Sequence, residues 1–151
     1  MANFFAGASL KNREGVELNA SEYLEGKVVG VYFSASWCPP CRAFTPKLKT
    51  FFEEIQKSHP EFQIVFVSRD RNSEDLVEYF MEHHGDWTYL PYGSDKITEL
   101  FQKFEVKTIP TMRIVNQKGE IVVKESRTEI QDKGENAEDL WKQWFPADAH
   151  L

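Results

Sequence analysis

The sequence predicts a single α/β domain over residues 1–151: a mixed sheet with a parallel centre and an antiparallel edge hairpin, helices on both faces, and an N-terminal hairpin extension. Three patterns predict it. Two short apolar runs rich in β-branched residues, at 28–33 and 63–67, read as buried parallel strands, because a strand covered on both faces has no polar alternation. Each is followed by apolar residues at helical spacing, the order that a crossover to a parallel neighbour requires. Later, two further runs flank Asn116-Gln117-Lys118-Gly119, as in a short antiparallel hairpin.

In chain order, Ala8-Ser9-Leu10-Lys11 and Val16-Glu17-Leu18 flank residues 12–15 as a small hairpin. Ser21, or Asn19 with Glu22 three residues on, is placed to cap a short helix. After the first buried strand, Phe44, Leu48, Phe51, Phe52 and Ile55 form one stripe of a helix ending near Ser58-His59-Pro60. Pro46 lies inside it, where it removes one backbone bond and is expected to kink the axis. Ser73 is expected to cap the next helix, with Leu76, Val77, Phe80 and Met81 inward. His83, His84 and Asp86 close it, and a cationic His is favourable there. Another helix starts at Ser94-Asp95 with Ile97, Leu100, Phe101 and Phe104 inward, and the strands at Thr111–Val115 and 120–124 follow. Residues 124–134 are the most polar stretch, yet too short to separate domains. A last helix packs Leu140, Trp141, Trp144 and Phe145, with Glu135, Glu138 and Asp139 at its N-terminal end.

Composition narrows the function classes. At 41% hydrophobic and 14% aromatic, the chain can bury a proper core, which excludes a disordered chain and a disulfide-dependent mini-protein. A formal charge of −6 argues against nucleic acid as a partner. No apolar run reaches the roughly 18 residues of a membrane span. Met-Ala-Asn-Phe-Phe-Ala-Gly lacks the basic start and apolar stretch of a signal peptide, so the expected location is cytoplasmic, with the nucleus second. The expected state is a monomer.

The two cysteines, Cys38 and Cys41, carry the chemistry. In a reducing compartment such a Cys-x-x-Cys pair is catalytic or metal-binding rather than a staple. Zinc needs four ligands, and His59, His83, His84 and His150 offer no matching spacing. Two inert buried thiols are the bland alternative. The pair follows the strand and small-residue turn Ser34-Ala35-Ser36-Trp37 and opens a helix, where unpaired N–H groups and the helix dipole stabilise a thiolate. A free thiol near pKa 8.5 is otherwise mostly protonated at neutral pH. Cys38, at the helix mouth, is therefore the expected nucleophile and Cys41, one turn in, the resolving thiol, acting through a mixed disulfide. Pro39 and Pro40 suit the first turn and remove two amides, leaving that of Cys41 to face the Cys38 sulfur. Trp37 is expected to cover the pair and form a substrate platform, with Arg42 and Arg69 in support. Pro110 precedes a strand, where an X-Pro bond can be cis, although only about 5–6% of such bonds are. No Gly-rich phosphate loop points to a nucleotide or flavin.

Trp37-Cys38-Pro39-Pro40-Cys41-Arg42, Phe44-Thr45-Pro46 and Thr108-Ile109-Pro110-Thr111 resemble the thioredoxin superfamily. The longer run from Tyr32 through Arg42, with Trp87 and Leu90-Pro91, is similar to its tryparedoxin and nucleoredoxin branch. The resemblance spans most of the chain and is strongest over residues 27–110. It implies a thioredoxin fold, protein-disulfide reductase activity, and a cis Pro110 beside the cysteine pair. Trp37, Pro39, Pro40, Ile109 and Pro110 would bind substrate, the backbone at Ile109 holding an extended client segment as an added strand. It further implies no bound cofactor, electrons from an external reductase or small thiol, and disulfide-containing client proteins. A redox-sensitive adaptor of nucleoredoxin type, binding a signalling partner with little turnover, is the second implied role.

The chain departs from the family patterns it resembles at informative places. Many thioredoxins carry a buried Asp six residues before the first cysteine, as base for the second; Tyr32 stands there, as in tryparedoxins, which leaves the base unassigned. Ser68-Arg69-Asp70-Arg71-Asn72 replaces the tryparedoxin Ser-Trp-Asp-Glu-Asn, and Arg71 in an acidic position disfavours a polyamine-bearing substrate such as trypanothione. The Gly-Gly turn of glutaredoxins is missing at residues 116–119, which disfavours a glutathione site.

Overall fold

Alternation along two central strands organises the molecule. In the computed structural model, which describes residues 2–146, β3 (Val28–Ser34) and β4 (Phe62–Ser68) pair in parallel over their full length. Val28, Tyr32, Phe62, Ile64 and Phe66 enter one core; Val29, Val31, Phe33, Val65 and Val67 enter the other. Two buried faces explain the unbroken apolar runs: every side chain of β3 is buried. Burying each such Val or Phe is worth roughly 1.5–3 kcal/mol, so the register that sorts them is strongly enforced.

The remaining strands are β1 (Ser9–Lys11), β2 (Glu17–Asn19), β5 (Thr88–Tyr89), β6 (Thr111–Val115) and β7 (Ile121–Val123). The sheet order is β2-β1-β5-β4-β3-β6-β7. β5 is parallel to β4, whereas β6 and β7 run antiparallel beyond β3 as the edge hairpin. The N-terminal hairpin joins the opposite edge, Lys11 pairing with Tyr89. One face is covered by α3 (Pro39–Ser58), α4 (Ser73–His83), α6 (Ser126–Lys133) and α7 (Ala137–Trp144). The other carries α1 (Ala2–Phe5), α2 (Ala20–Tyr23) and α5 (Asp95–Lys103). This is the mixed, helix-flanked sheet that the sequence predicts. Arg13, in the turn of the N-terminal hairpin, donates to the carbonyls of Met81 at 2.9 Å and His84 at 3.0 Å, tying that hairpin to the electronegative end of α4.

Several local expectations are corrected. Of the two caps offered for α2, Asn19 is the one that serves, accepting from the Glu22 amide. Asn72, not Ser73, caps α4, its side chain accepting from the Asp75 amide at 2.8 Å. The inward face of α4 is Leu76, Tyr79 and Phe80; Val77 and Met81 are exposed. Tyr79 displaces them because its hydroxyl is satisfied inside. The polar stretch after β7 contains α6, which buries only Ser126 and Ile130 and so presents no apolar stripe. Pro46 lies inside α3, where the sequence reading places it.

His84 is the α4 C-cap and is wholly buried, not an exposed cation. Its Nδ1 accepts from Trp87 Nε1 at 3.1 Å, and Phe66, Tyr79 and Tyr32 surround its ring. Burial first, then His83 and Arg13, hold its pKa well below the ordinary value, so it is neutral. Gly85 lets the Trp87 ring lie against the backbone: a Cβ there would meet that ring at 2.6 Å.

Candidate active site

Where β3 hands over to α3, Cys38 is the N-cap: its backbone is extended, and its Sγ accepts from the Cys41 amide at 3.3 Å. Pro39 and Pro40 fill the first two helical positions and donate nothing, so the Cys41 N–H is the first available to the sulfur. An N–H at a helix N-terminus aimed at sulfur is the setting that a thiolate nucleophile requires. Cys38 is 5% exposed and Cys41 0%, and they are not bonded to each other. Opposite them, the Ile109–Pro110 bond is cis. The Ile109 carbonyl lies 3.9 Å from Cys38 Sγ, and the Ile109 side chain packs on Ala35, Cys38 and Cys41. Pro110 is buried; Pro39 and Pro40 are exposed.

Burial, and next the Cys38 sulfur beside it, push the Cys41 thiol up to about 12. Behind it lies a chain of hydroxyls rather than a carboxylate. Thr45 has one hydroxyl proton and gives it to the Cys41 carbonyl at 2.9 Å. Tyr32 and Tyr79 must therefore both donate to Thr45 Oγ1, each at 2.7 Å. With the Tyr79 proton spent, Ser34 must donate to Tyr79, also at 2.7 Å. Ser34, which reaches Cys41, is left able to accept an S–H but with no proton to give a thiolate. Burial raises the Tyr32 and Tyr79 hydroxyls too, so the chain stays protonated. Sequence reading placed Tyr32 here but missed Ser34, Thr45 and Tyr79; Phe44-Thr45-Pro46, adjacent to the cysteines, was the available signal.

Asp70 was also missed. It is buried and accepts from the Ser36 amide at 2.8 Å, the Ser36 hydroxyl, and the Ser68 hydroxyl at 2.6 Å, locking the cysteine turn to the loop after β4. Trp37 is 45% exposed, and its Nε1 donates to the Arg69 carbonyl at 3.0 Å across the same seam. Arg42 is exposed and donates to the Ser36 carbonyl at 3.1 Å, and its other arm meets His83. Removing Asp70 strands three donors. Asp70→Ala is expected to cost roughly 3 kcal/mol in urea denaturation and to alter Trp37 fluorescence, whereas Asp70→Asn, which keeps one acceptor, costs less. Equal stability of Asp70→Ala and the parent would show that the seam holds without it.

Among the described residues, no three His, Cys, Asp or Glu side chains gather to hold a metal ion. His59 stacks on Trp141, and His83 meets Arg42. His150 lies outside the described residues. No helix among the described residues is long and apolar enough to cross a membrane.

A dithiol seated where a parallel strand turns into a helix, facing a cis-proline loop, defines a thioredoxin-like oxidoreductase site. A family model described as thioredoxin-like matches residues 26–121, and the chain belongs to that family, on its nucleoredoxin and tryparedoxin branch. It is 34% identical to the tryparedoxin of Trypanosoma brucei brucei over 143 residues, covering 93% of this chain and 96% of that protein. It is 37% identical to nucleoredoxin of Mus musculus over 137 residues, which is 90% of this chain but 31% of nucleoredoxin. Over the first curated nucleoredoxins that it matches, the chain spans only 21–31% of their length. The crystal structure of thioredoxin from Wuchereria bancrofti superposes with a TM-score of 0.80 at 41% identity, covering 92% of this chain and 96% of that one.

Proposed function

We propose that this chain is a protein-disulfide reductase cycling Cys38 and Cys41 between dithiol and disulfide. The observation that carries the reading is the asymmetry of the pair: the Cys38 sulfur receives a helix-terminal N–H, while the Cys41 thiol is held protonated in the interior. In the first step the Cys38 thiolate attacks one sulfur of a client disulfide. That S–S bond breaks, a mixed disulfide forms, and the departing client sulfur takes up a proton. In the second, Cys41 gives up its proton and attacks Cys38 Sγ, forming the internal disulfide and releasing the client's other thiol. An upstream reductase or small thiol returns two electrons and two protons. No bound cofactor enters this cycle.

In this reading Trp37, Pro39 and Pro40, exposed beside Cys38, form the client surface, and the Ile109 backbone, whose carbonyl lies 3.9 Å from Cys38 Sγ, pairs with an extended client segment. Disulfide-containing proteins are the clients, the working unit is a monomer, and the compartment is the cytoplasm or nucleus. Insulin reduction with dithiothreitol tests the reading: many insulin disulfides are expected to be reduced per protein molecule. Stoichiometric, redox-dependent capture of a partner with negligible turnover would instead mark a nucleoredoxin-type adaptor and overturn the reductase.

A further inference from the structure

The chain carries a net charge of −6, yet the rim of the Cys38 site is cationic. Arg71 lies over the Trp37 ring, 5.2 Å from its centroid. Arg69 supplies the carbonyl that holds Trp37 and lays its guanidinium over Phe101 at 4.2 Å. Arg42 brackets the turn from the other side through Ser36. Lys107, two residues before Ile109, shares a surface cavity with Arg69. All four side chains are exposed. The ion pairs among the described residues lie elsewhere, joining Lys57 to Glu54, Lys96 to Glu99, and His59 to Glu61 and Glu138. Among the described residues, none of the four rim cations has a carboxylate within 4.0 Å.

The acidic groups nearby do not cancel the rim. Asp70 is turned inward onto Ser36 and Ser68. Glu105 shares the cavity of Arg69 and Lys107, adding one negative charge to two positive. Asp75, Glu78 and Glu82 lie on the α4 side and share a separate cavity with Arg42. Asp95 lines a further cavity with Ser68, Asp70 and Tyr92. Over Trp37 itself the charge is cationic, with Arg71 on its ring and the exposed Arg69 beside it.

We propose that this rim selects clients whose disulfide is flanked by Asp or Glu side chains and discriminates against disulfides flanked by lysine. The proposal rests on the reductase reading and adds the client class to it. Aromatic faces under Arg69 and Arg71 hold both guanidinium groups over the approach, where their donor forks match carboxylates two bonds at a time. Charges clustered on one rim also steer encounter, which is where complementarity changes rate most. The reaction is balanced: protein dithiol plus client disulfide gives protein disulfide plus client dithiol.

The test uses the full chain, reduced, and three synthetic peptides with one cystine loop flanked by Glu, Gln or Lys. Oxidation of the protein is timed by thiol trapping, and each rate is divided by that of the same peptide with dithiothreitol, which removes leaving-group chemistry. At an ionic strength of about 20 mM, the Glu peptide is expected to react at least about tenfold faster than the Lys peptide. Near about 0.5 M salt the ratio is expected to shrink to roughly two- or threefold. In Arg69→Gln/Arg71→Gln/Lys107→Gln, the low-salt ratio is expected to fall in the same way. Should that variant misfold, the salt series on the parent protein decides alone. Equal normalised rates for the Glu and Lys peptides at low salt, or a ratio that salt leaves unchanged, would overturn the acidic-client rim while leaving the reductase intact. No oxidation by any of the three would overturn the reductase, and this proposal with it.

Discussion

Cys38→Ser is expected to lower insulin turnover by at least about 10³-fold, whereas Cys41→Ser is expected to stall after one step with client attached. The two variants remove one sulfur each, yet they interrupt different bonds. Without the Cys38 sulfur, nothing at the mouth of α3 can attack a disulfide, because a serine hydroxyl stays protonated where a thiol ionises. The Cys41 sulfur does not substitute for it, being fully buried and held protonated. In Cys41→Ser, Cys38 keeps its place as N-cap, and the backbone amide at position 41 still faces its sulfur, so the mixed disulfide forms but has no internal thiol to resolve it. Intact-mass spectrometry should show Cys41→Ser heavier by one client chain, reversibly with dithiothreitol, and Cys38→Ser at its own mass. Turnover surviving in Cys38→Ser, or a stable client adduct on that variant, would reverse the assigned roles. The trapped adducts would also name the clients.

What could be read without coordinates was whatever repeats locally. The runs at 28–33 and 63–67, the stripe from Phe44 to Ile55, and the edge hairpin all declare themselves within a few residues, and they place Cys38 at a strand-to-helix junction. α6 escaped because one buried apolar residue, Ile130, makes no period. β5 escaped because two residues make none either. The polar groups around the dithiol were hidden for a different reason. Asp70 matters because Ser36 lies 34 residues away in sequence and hydrogen-bond distance away in space. Tyr79 matters through Ser34 and Thr45, 45 and 34 residues away. Such partners are created by packing, and a polar residue whose bonds are satisfied inside looks, in sequence, like one facing water. His84 misled in the same way: at a helix end it reads as a surface cation, but aromatic rings enclose it.

The buried Cys41 proton has a measurable signature in both reactivity and stability. With its thiol pushed up to about 12, the ionised fraction at pH 7 is about 10⁻⁵, so iodoacetamide at neutral pH is expected to modify Cys38 and to leave Cys41 at least about 10²-fold slower. Peptide mapping of a time course reads this directly, and comparable rates at the two sites would contradict the asymmetry. The direction of the hydroxyl chain makes a sharper demand. Tyr79→Phe releases the Ser34 proton, which can then be donated to a Cys41 thiolate, while Thr45 still receives the Tyr32 hydroxyl. Labelling of Cys41 should therefore accelerate in Tyr79→Phe even though the site remains buried. Stability follows with a definite sign. Between about 8.5–9, where an unfolded thiol ionises, and about 12, the folded chain keeps a proton that the unfolded chain has lost. The contribution is thus complete below pH 9 and disappears as pH rises through 12. Three pH units at about 1.36 kcal/mol each make it at most roughly 4 kcal/mol in the reduced protein, less whatever solvent at the helix mouth screens. Tyr32 and Tyr79 add a loss of the same sign that begins from their ordinary value of 10.0, so Cys41→Ser is expected to flatten the early part of the alkaline decline rather than abolish it. Identical urea midpoints for the parent and Cys41→Ser, relative to their own values at pH 7, throughout pH 8–11 would mean that the thiol is not held protonated in the fold.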